Sequence, residues 1–278
     1  MELGKIGVWT THRAIGEGQA PAAARLVEDL GYGTFWLGGS PRLPSLRPLL
    51  EATERIVVGT SIVNIWAYHP RELAAEYAAL SEDFRDRLLV GIGVGHPEAA
   101  SDYTRPLTAM RAFLDGLDAA APPLGRGRRA LAALRPKMLA LSAERSLGAL
   151  PYFVPVSHTS FARAQLGPGP LLAPEVAVVV DDDDERARVK ARAYAKTYLG
   201  LSNYTNNLLA LGFSEDDIAG DGSDRLIDAV VPHGTGEDLA KVVDAHIAAG
   251  ADHVALQPVG EPGIPRHGWT ALAEAVLR

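Results

Sequence analysis

Apolar positions in this chain follow two alternating rhythms. Short runs rich in β-branched and aromatic residues, at 3–9, 34–37, 56–63, 88–94, 130–134, 148–154, 175–180 and 253–259, read as strands covered on both faces. Between them, apolar residues three and four apart predict helices at 20–30, 71–84, 107–120, 136–146, 159–166, 184–199, 242–249 and 270–277. Ala24, Val27 and Leu30 form one such stripe, with Gly31 as its stop; Met110, Phe113, Leu114 and Leu117 form another. Pro136 suits a first helical turn. Alternation of eight strands with helices predicts an α/β fold, a parallel (β/α)8 TIM barrel in one domain over residues 1–278; such barrels take ~250 residues. The stretch 199–232 is too long for an ordinary connection and predicts a helical insertion before the last strand, with a small helix at 213–218.

Composition narrows the chemistry. Cysteine is absent, which excludes disulfides, thiolate metal sites and a cysteine nucleophile, and suits a reducing compartment; a cytoplasmic location is expected. A net charge of −7 without a basic cluster speaks against nucleic-acid binding. No uncharged apolar window reaches the ~18 residues of a membrane span, and residues 1–9 read as a strand, not a leader.

Function in such barrels sits where strands end. The predicted ends offer Trp9, Gly39, Ser40, Ser61, Ile62, Asn64, Val94, Gly95, His96, Leu134, Arg135, Lys137, Tyr152, Asp181 and Gln257. No carboxylate stands at the first six, which disfavours a glycosidase. The histidines are scattered, which disfavours a metal-dependent hydrolase, and no metal is expected. The acidic run Asp181-Asp182-Asp183-Asp184 reads as a helix cap rather than a Mg²⁺ site. Glycines and small residues at strand ends instead suit a large flat cofactor and a small-molecule substrate.

Three features leave alternatives open. Gly91, Gly93 and Gly95 bare one face of a strand, for a ring to approach or for tight packing. On the cofactor reading, Gly95 at the rim tolerates a side chain better than the deeper Gly91. Leu134-Arg135-Pro136-Lys137 opens a helix with two cations, as an anion site or an ordinary helix start. His96 is either a proton donor or a structural imidazole.

Several segments together resemble the luciferase-like monooxygenase superfamily, and most closely its F420-dependent (deazaflavin) branch: Val8-Trp9, Phe35-Trp36-Leu37-Gly38-Gly39-Ser40-Pro41, Gly59-Thr60-Ser61-Ile62-Val63-Asn64-Ile65-Trp66 and Arg87-Leu88-Leu89-Val90-Gly91-Ile92-Gly93-Val94-Gly95-His96. Lys137-Met138-Leu139, Ala149-Leu150-Pro151-Tyr152 and Leu166-Gly167-Pro168-Gly169-Pro170 continue the resemblance downstream. It implies a coenzyme F420 lying across the strand ends. Ser61-Ile62, beside Asn64, matches the bulge, often a non-prolyl cis peptide, that backs the ring. Val94-Gly95-His96 matches a cofactor contact, and Leu134-Arg135-Pro136-Lys137 the phosphate position, where relatives often carry glycine instead of Arg135. The Asp-His pair and the Glu of sugar-phosphate dehydrogenases in this superfamily are replaced here by Gly39-Ser40 and His96, so Ser40 and His96 stand as the catalytic candidates, in a pocket with Trp9 and Tyr152. Alternatives are an FMN-dependent monooxygenase and a catalytically inactive flavin-binding relative. The resemblance also implies a homodimer, and the helix 71–84 is expected to offer Leu73, Tyr77 and Leu80 beyond what one barrel buries.

Overall fold

A computed structural model describes residues 1–99 and 104–277. The strands are β1 (Ile6–Thr11), β2 (Thr34–Gly38), β3 (Val57–Thr60), β4 (Val63–Asn64), β5 (Leu88–Gly93), β6 (Arg129–Leu131), β7 (Gly148–Ala149), β8 (Leu171–Leu172), β9 (Glu175–Val180), β10 (His233–Gly234) and β11 (Val254–Pro258). The helices are α1 (His12–Ile15), α2 (Ala20–Asp29), α3 (Arg47–Ala52), α4 (Pro70–Ala78), α5 (Glu82–Asp86), α6 (Pro106–Asp118), α7 (Pro136–Arg145), α8 (Val156–Leu166), α9 (Asp184–Leu199), α10 (Ser202–Ala210), α11 (Glu215–Ile218), α12 (Asp224–Val230), α13 (Gly236–Ala248) and α14 (Arg266–Val276).

All strand pairs are parallel, in the order β10-β9-β11-β1-β2-β3-β5-β6-β7-β8, with β4 also on β5. The chain from β8 to β9 joins the two ends. Its start pairs with β7, its continuation pairs with β11, and the Glu175 amide donates to the Pro151 carbonyl just beyond β7. The arrangement is that of a (β/α)8 barrel in which β8 and β9 together fill the seventh place. The insertion before the last strand comprises α10, α11 and α12, and returns through β10 to the rim of β9.

Alternation along each strand makes two cores. Outward residues such as Val8, Phe35, Val58, Val90 and Leu256 pack with Val27, Leu50, Leu73, Leu114 and Trp269 of the helices. Inward residues Trp9, Trp36, Val57, Leu89, Ala130, Leu150, Ala173 and Ala255 fill the barrel. The bulk of the two tryptophans requires glycine on the neighbouring strand. A Cβ on Gly59 would lie 2.3 Å from the Trp36 ring, and one on Gly38 2.3 Å from the Trp9 ring. At the lower end the Trp36 indole N–H donates to His253 Nε2 at 2.9 Å, and His253 Nδ1 lies 2.8 Å from the Gly4 carbonyl. Burial drives the His253 pKa down to about 4, so a neutral imidazole seals the floor.

Several expected elements are shorter than the apolar pattern. The strand expected at 56–63 is broken by a cis peptide bond at Ser61-Ile62 into β3 and β4. The helix expected at 71–84 is α4 and α5, separated where Ser81 caps the second by accepting from the Phe84 amide. The strand expected at 148–154 pairs only over Gly148–Ala149. Leu73 and Tyr77 are 0% and 7% exposed within the chain itself. They are therefore not surplus apolar surface, and that ground for a homodimer falls. Among the described residues no helix is long and apolar enough to cross a membrane.

Candidate active site at the C-terminal mouth of the barrel

Two networks meet at the mouth. The first ties the early strand ends together. Ser40, at φ 55°, accepts from the Asn64 amide at 2.9 Å through Oγ. Asn64 Oδ1 accepts from the Trp66 amide at 3.0 Å, and the Trp66 indole donates to the Val94 carbonyl at 2.8 Å. The cis Ser61-Ile62 turn sits between them, and the Ile62 side chain covers the bare face of β5: a Cβ on Gly93 would lie 2.7 Å from Ile62 Cγ1. Gly91 is likewise filled, by the Thr60 carbonyl and the Leu150 side chain. The protein's own atoms thus occupy the glycine face at these two positions, which is the packing alternative. Gly95 has φ 63° and would carry a Cβ 2.8 Å from Asn64 Nδ2. The expectation that this rim position tolerates a side chain is therefore corrected, because a substitution strains the backbone before any cofactor is considered.

The second network is aromatic. Trp9 packs 5.2 Å from Tyr152, and Tyr152 lies 6.1 Å from Tyr204, which is 5.2 Å from His96. Tyr204 belongs to the insertion, and Tyr194 and Tyr198 come from α9. The Tyr152 hydroxyl is 2.8 Å from both the Tyr194 and Tyr198 hydroxyls, and it and Tyr194 reach Gln257 Oε1 at 3.0 Å. Burial raises the pKa of all four phenols above the ordinary value, so they stay protonated. His96 Nδ1 lies 3.0 Å from Asn203 Oδ1, and Glu98 accepts from the Ser202 amide and hydroxyl at 3.0 and 2.7 Å. The loop after β5 is thereby clasped to the corner between α9 and α10.

The helix start after β6 stands beside this wall. Arg135, Pro136 and Lys137 are exposed. Among the described residues no side chain caps α7, leaving first-turn amides open. Leu134 packs against the tyrosine cluster, and its carbonyl is 2.8 Å from Nε2 of the buried His158. The acidic run behaves as a cap: Asp183 accepts from the Arg186 amide at 2.9 Å, while Asp181 pairs with Arg186 and with Lys190.

The structure thus brings Trp9, Tyr152 and His96 into one aromatic chain, and Ser40, Asn64, Val94 and Gly95 into a second set, joined at the loop 94–96. Gly39, at φ 84°, faces open space. Sequence reasoning missed Tyr194, Tyr198, Tyr204 and Glu175. The tyrosines lie on helices after the barrel strands, where strand-end reasoning does not look. Glu175 begins β9 rather than ending it, and its alternation with Ala173 and Ala177 was the available signal of an inward position. Glu175 is 3% exposed; burial raises its pKa to about 8. One oxygen lies 3.4 Å from the Phe153 amide, and the other, Oε1, has no hydrogen-bond partner among the described residues. Trp9 Nε1 is also buried and unpartnered.

Comparison with known proteins agrees with this architecture. Residues 3–122 match the luciferase-like monooxygenase family. An F420-dependent glucose-6-phosphate dehydrogenase from Microbacterium testaceum (strain StLB037) is 32% identical over 92 residues, a match spanning 28% of this chain and 27% of that relative. Among solved structures, an F420-dependent secondary alcohol dehydrogenase in complex with an F420-acetone adduct superposes with a TM-score of 0.76 at 15% identity, covering 99% of both chains. The oxygenating constituent of 3,6-diketocamphane monooxygenase from the CAM plasmid of Pseudomonas putida, in complex with FMN, gives 0.70 at 16% identity, covering 97% of this chain and 95% of that one. At these identities the two structures establish a shared fold over nearly the whole chain.

Proposed function

We propose that this luciferase-like chain is an oxidoreductase that moves hydride between coenzyme F420 and a small organic substrate. The observation that carries the reading is the side-by-side placement of an aromatic, hydrogen-bonding mouth and a helix start that, among the described residues, has no side-chain cap and carries the exposed cations Arg135 and Lys137. A flat ring with a phosphorylated tail needs both. The deazaflavin supplies a ring carbon that takes up or gives out hydride. The α7 amides, with Arg135 and Lys137, hold the tail phosphate. Ile62 and the 61–64 turn back the ring, Val94, Gly95 and His96 border it, and Trp9 and Tyr152 wall the substrate side. Ser40 and His96 follow the ends of β2 and β5, and stand as candidates for handling the proton. Relatives named as F420-dependent support this coenzyme.

The FMN-bound relative of the same fold motivates the second reading, an FMN-dependent monooxygenase. The two differ in consequence, since a reduced flavin reacts with oxygen and a deazaflavin does so poorly. Separate titrations of the purified chain with F420 and with FMN, followed by turnover of enones, imines and alcohols, test the proposal. Tight F420 binding with turnover is expected. Selective FMN binding overturns the coenzyme, and binding of neither overturns the activity.

The same reading takes the protein as a cytoplasmic homodimer. The absence of cysteine supports the compartment, and the pairing rests on the resemblance. Light scattering at micromolar concentration giving the 29.5 kDa monomer mass would reject the dimer.

A further inference from the structure

We propose that Glu175, as an uncharged carboxylic acid, gives and takes the proton at an uncharged oxygen of the substrate, with the Trp9 indole N–H as a second donor to that oxygen. This rests on the oxidoreductase reading above and assigns the proton that Ser40 and His96 were candidates to carry.

Topology and unmet hydrogen bonds carry the inference. In the ring of strands, β1 and β7 are separated by β11 and by the β8–β9 strand. Contact between Trp9 and Tyr152, 5.2 Å apart, therefore carries both rings over the inward faces of those strands. Those faces present Ala255 and Gln257, and Glu175 and Ala177. Register sets Glu175 level with Ala255 and Gln257 level with Ala177, so each polar residue faces a small one on the neighbouring strand. Most polar atoms here satisfy one another. The three hydroxyl hydrogens of Tyr152, Tyr194 and Tyr198 are accounted for within the phenol–Gln257 network. Ser40 Oγ is engaged by Asn64, and His96 Nδ1 by Asn203. Trp9 Nε1 and Glu175 Oε1 are both buried, at 6% and 3% residue exposure, and both lack a partner among the described residues. A buried polar group without a partner costs ~1–3 kcal/mol, so one that persists calls for a water or a ligand.

The chemistry of the two atoms selects the ligand. The titratable groups close to Glu175 from the other elements are Tyr152, Tyr194, Tyr198 and Tyr204, all protonated phenols. Among the described residues no cation acts on the carboxyl to hold it ionised, so Oε1 carries hydrogen at neutral pH. Two donors, an O–H and an N–H, fit a carbonyl oxygen. They do not attract a phosphate or a carboxylate, which the cations at α7 would bind instead. In the reducing direction, the substrate carbonyl carbon takes a hydride, with its electron pair, from the reduced deazaflavin. The C=O π bond breaks, and the oxygen takes the proton from Glu175 as that O–H bond breaks. The products are an alcohol, an oxidised deazaflavin and a carboxylate, which recovers a proton from water after the product leaves. The reverse direction oxidises a secondary alcohol.

Infrared spectroscopy tests this without turnover. Wild type at pH 7 should show the C=O stretch of a protonated carboxyl that Glu175→Gln lacks, and 2-butanone added to the coenzyme-free protein should shift it to lower frequency. Trp9→Phe should fold, keep the band and bind 2-butanone about tenfold more weakly. With F420 bound, Glu175→Gln should lose at least about a hundredfold in kcat for ketone reduction, with coenzyme Kd unchanged. A missing band, a band that 2-butanone does not move, or full turnover by Glu175→Gln overturns the proposal. If wild type does not bind F420, the oxidoreductase reading fails separately, and the infrared result alone decides Glu175. If Glu175→Gln does not fold, the ketone shift in wild type and its weakening in Trp9→Phe decide.

Discussion

The floor and the mouth of the barrel are built from the same parts and finished differently. Each has a tryptophan lying across a glycine of the next strand, Trp36 over Gly59 and Trp9 over Gly38. Each has a buried ionisable group held neutral, His253 below and Glu175 above. At the floor the indole N–H meets the imidazole, whose second nitrogen meets a backbone carbonyl. At the mouth the indole N–H and one carboxyl oxygen have no partner among the described residues. The difference separates stability from function: one end completes its hydrogen bonds within the chain, and the other leaves donors for something else to complete.

Substitution at the two tryptophans is the strongest way to break that contrast. Trp36→Ala should cost ~3–5 kcal/mol of stability, whereas Trp9→Phe should stay within ~1 kcal/mol. Urea denaturation of both decides it, and equal losses would erase the distinction.

The two buried acids and bases sharpen it through pH. Glu175 titrates at about 8 in the fold against an ordinary 4.5, so the folded state keeps a proton that the unfolded chain releases. Its stabilising contribution is full below the unfolded value. It shrinks by at most ~1.4 kcal/mol per pH unit as pH rises and is gone above about 8. His253 works in the opposite sense: its pKa is depressed to about 4 from 6.5, so its contribution is present above 6.5 and is lost as pH falls toward 4. The stability difference between wild type and Glu175→Gln, in which the histidine contribution cancels, should shift against wild type from pH 5 through 6.5 to 8 in denaturation experiments; a difference that does not change with pH would refute the assignment of that proton.

Arg135→Glu with Lys137→Glu should weaken F420 binding about tenfold or more and leave the melting temperature unchanged, since both cations are exposed and neither has an ion-pair partner among the described residues. An unaltered affinity would remove the phosphate from this helix start. The smallest effects belong to the rim glycines. Gly95→Ala should cost ~1–2 kcal/mol through its backbone and the Asn64 contact, and Gly39→Ala ~1 kcal/mol through the backbone alone. Thermal melts that fail to rank the two in this order would mean that Asn64 moves freely.

Much of this was legible in the sequence, for reasons the structure makes plain. The elements Glu175–Val180 and Asp184–Leu199 agree residue for residue with their apolar patterns, because a strand buried on both faces and a charged helix with an acidic cap leave little ambiguity. The apolar pattern hid the breaks at Ser61-Ile62 and at Ser81, although the family resemblance had marked Ser61-Ile62 as a cis-peptide position. An apolar run does not reveal a cis bond, nor does helical spacing reveal a restart. Of the mouth, the barrel-strand contributions Trp9, Tyr152 and His96 could be listed because strand ends can be counted. The tyrosine wall could not, since which face of α9 turns toward the mouth depends on the path of the insertion.

The tryptophans also make the protein its own optical reporter. Trp9 packs on Tyr152, and Trp66 bonds the Val94 carbonyl, so two of the four indoles stand at the mouth. Trp36 lies on the floor and Trp269 in the outer layer against Phe35. Emission from this chain is thus a sum of two populations, one that a molecule arriving at the strand ends will shift or quench, and one that reports only whether the barrel is folded. Occupancy and integrity become separable in a single cuvette.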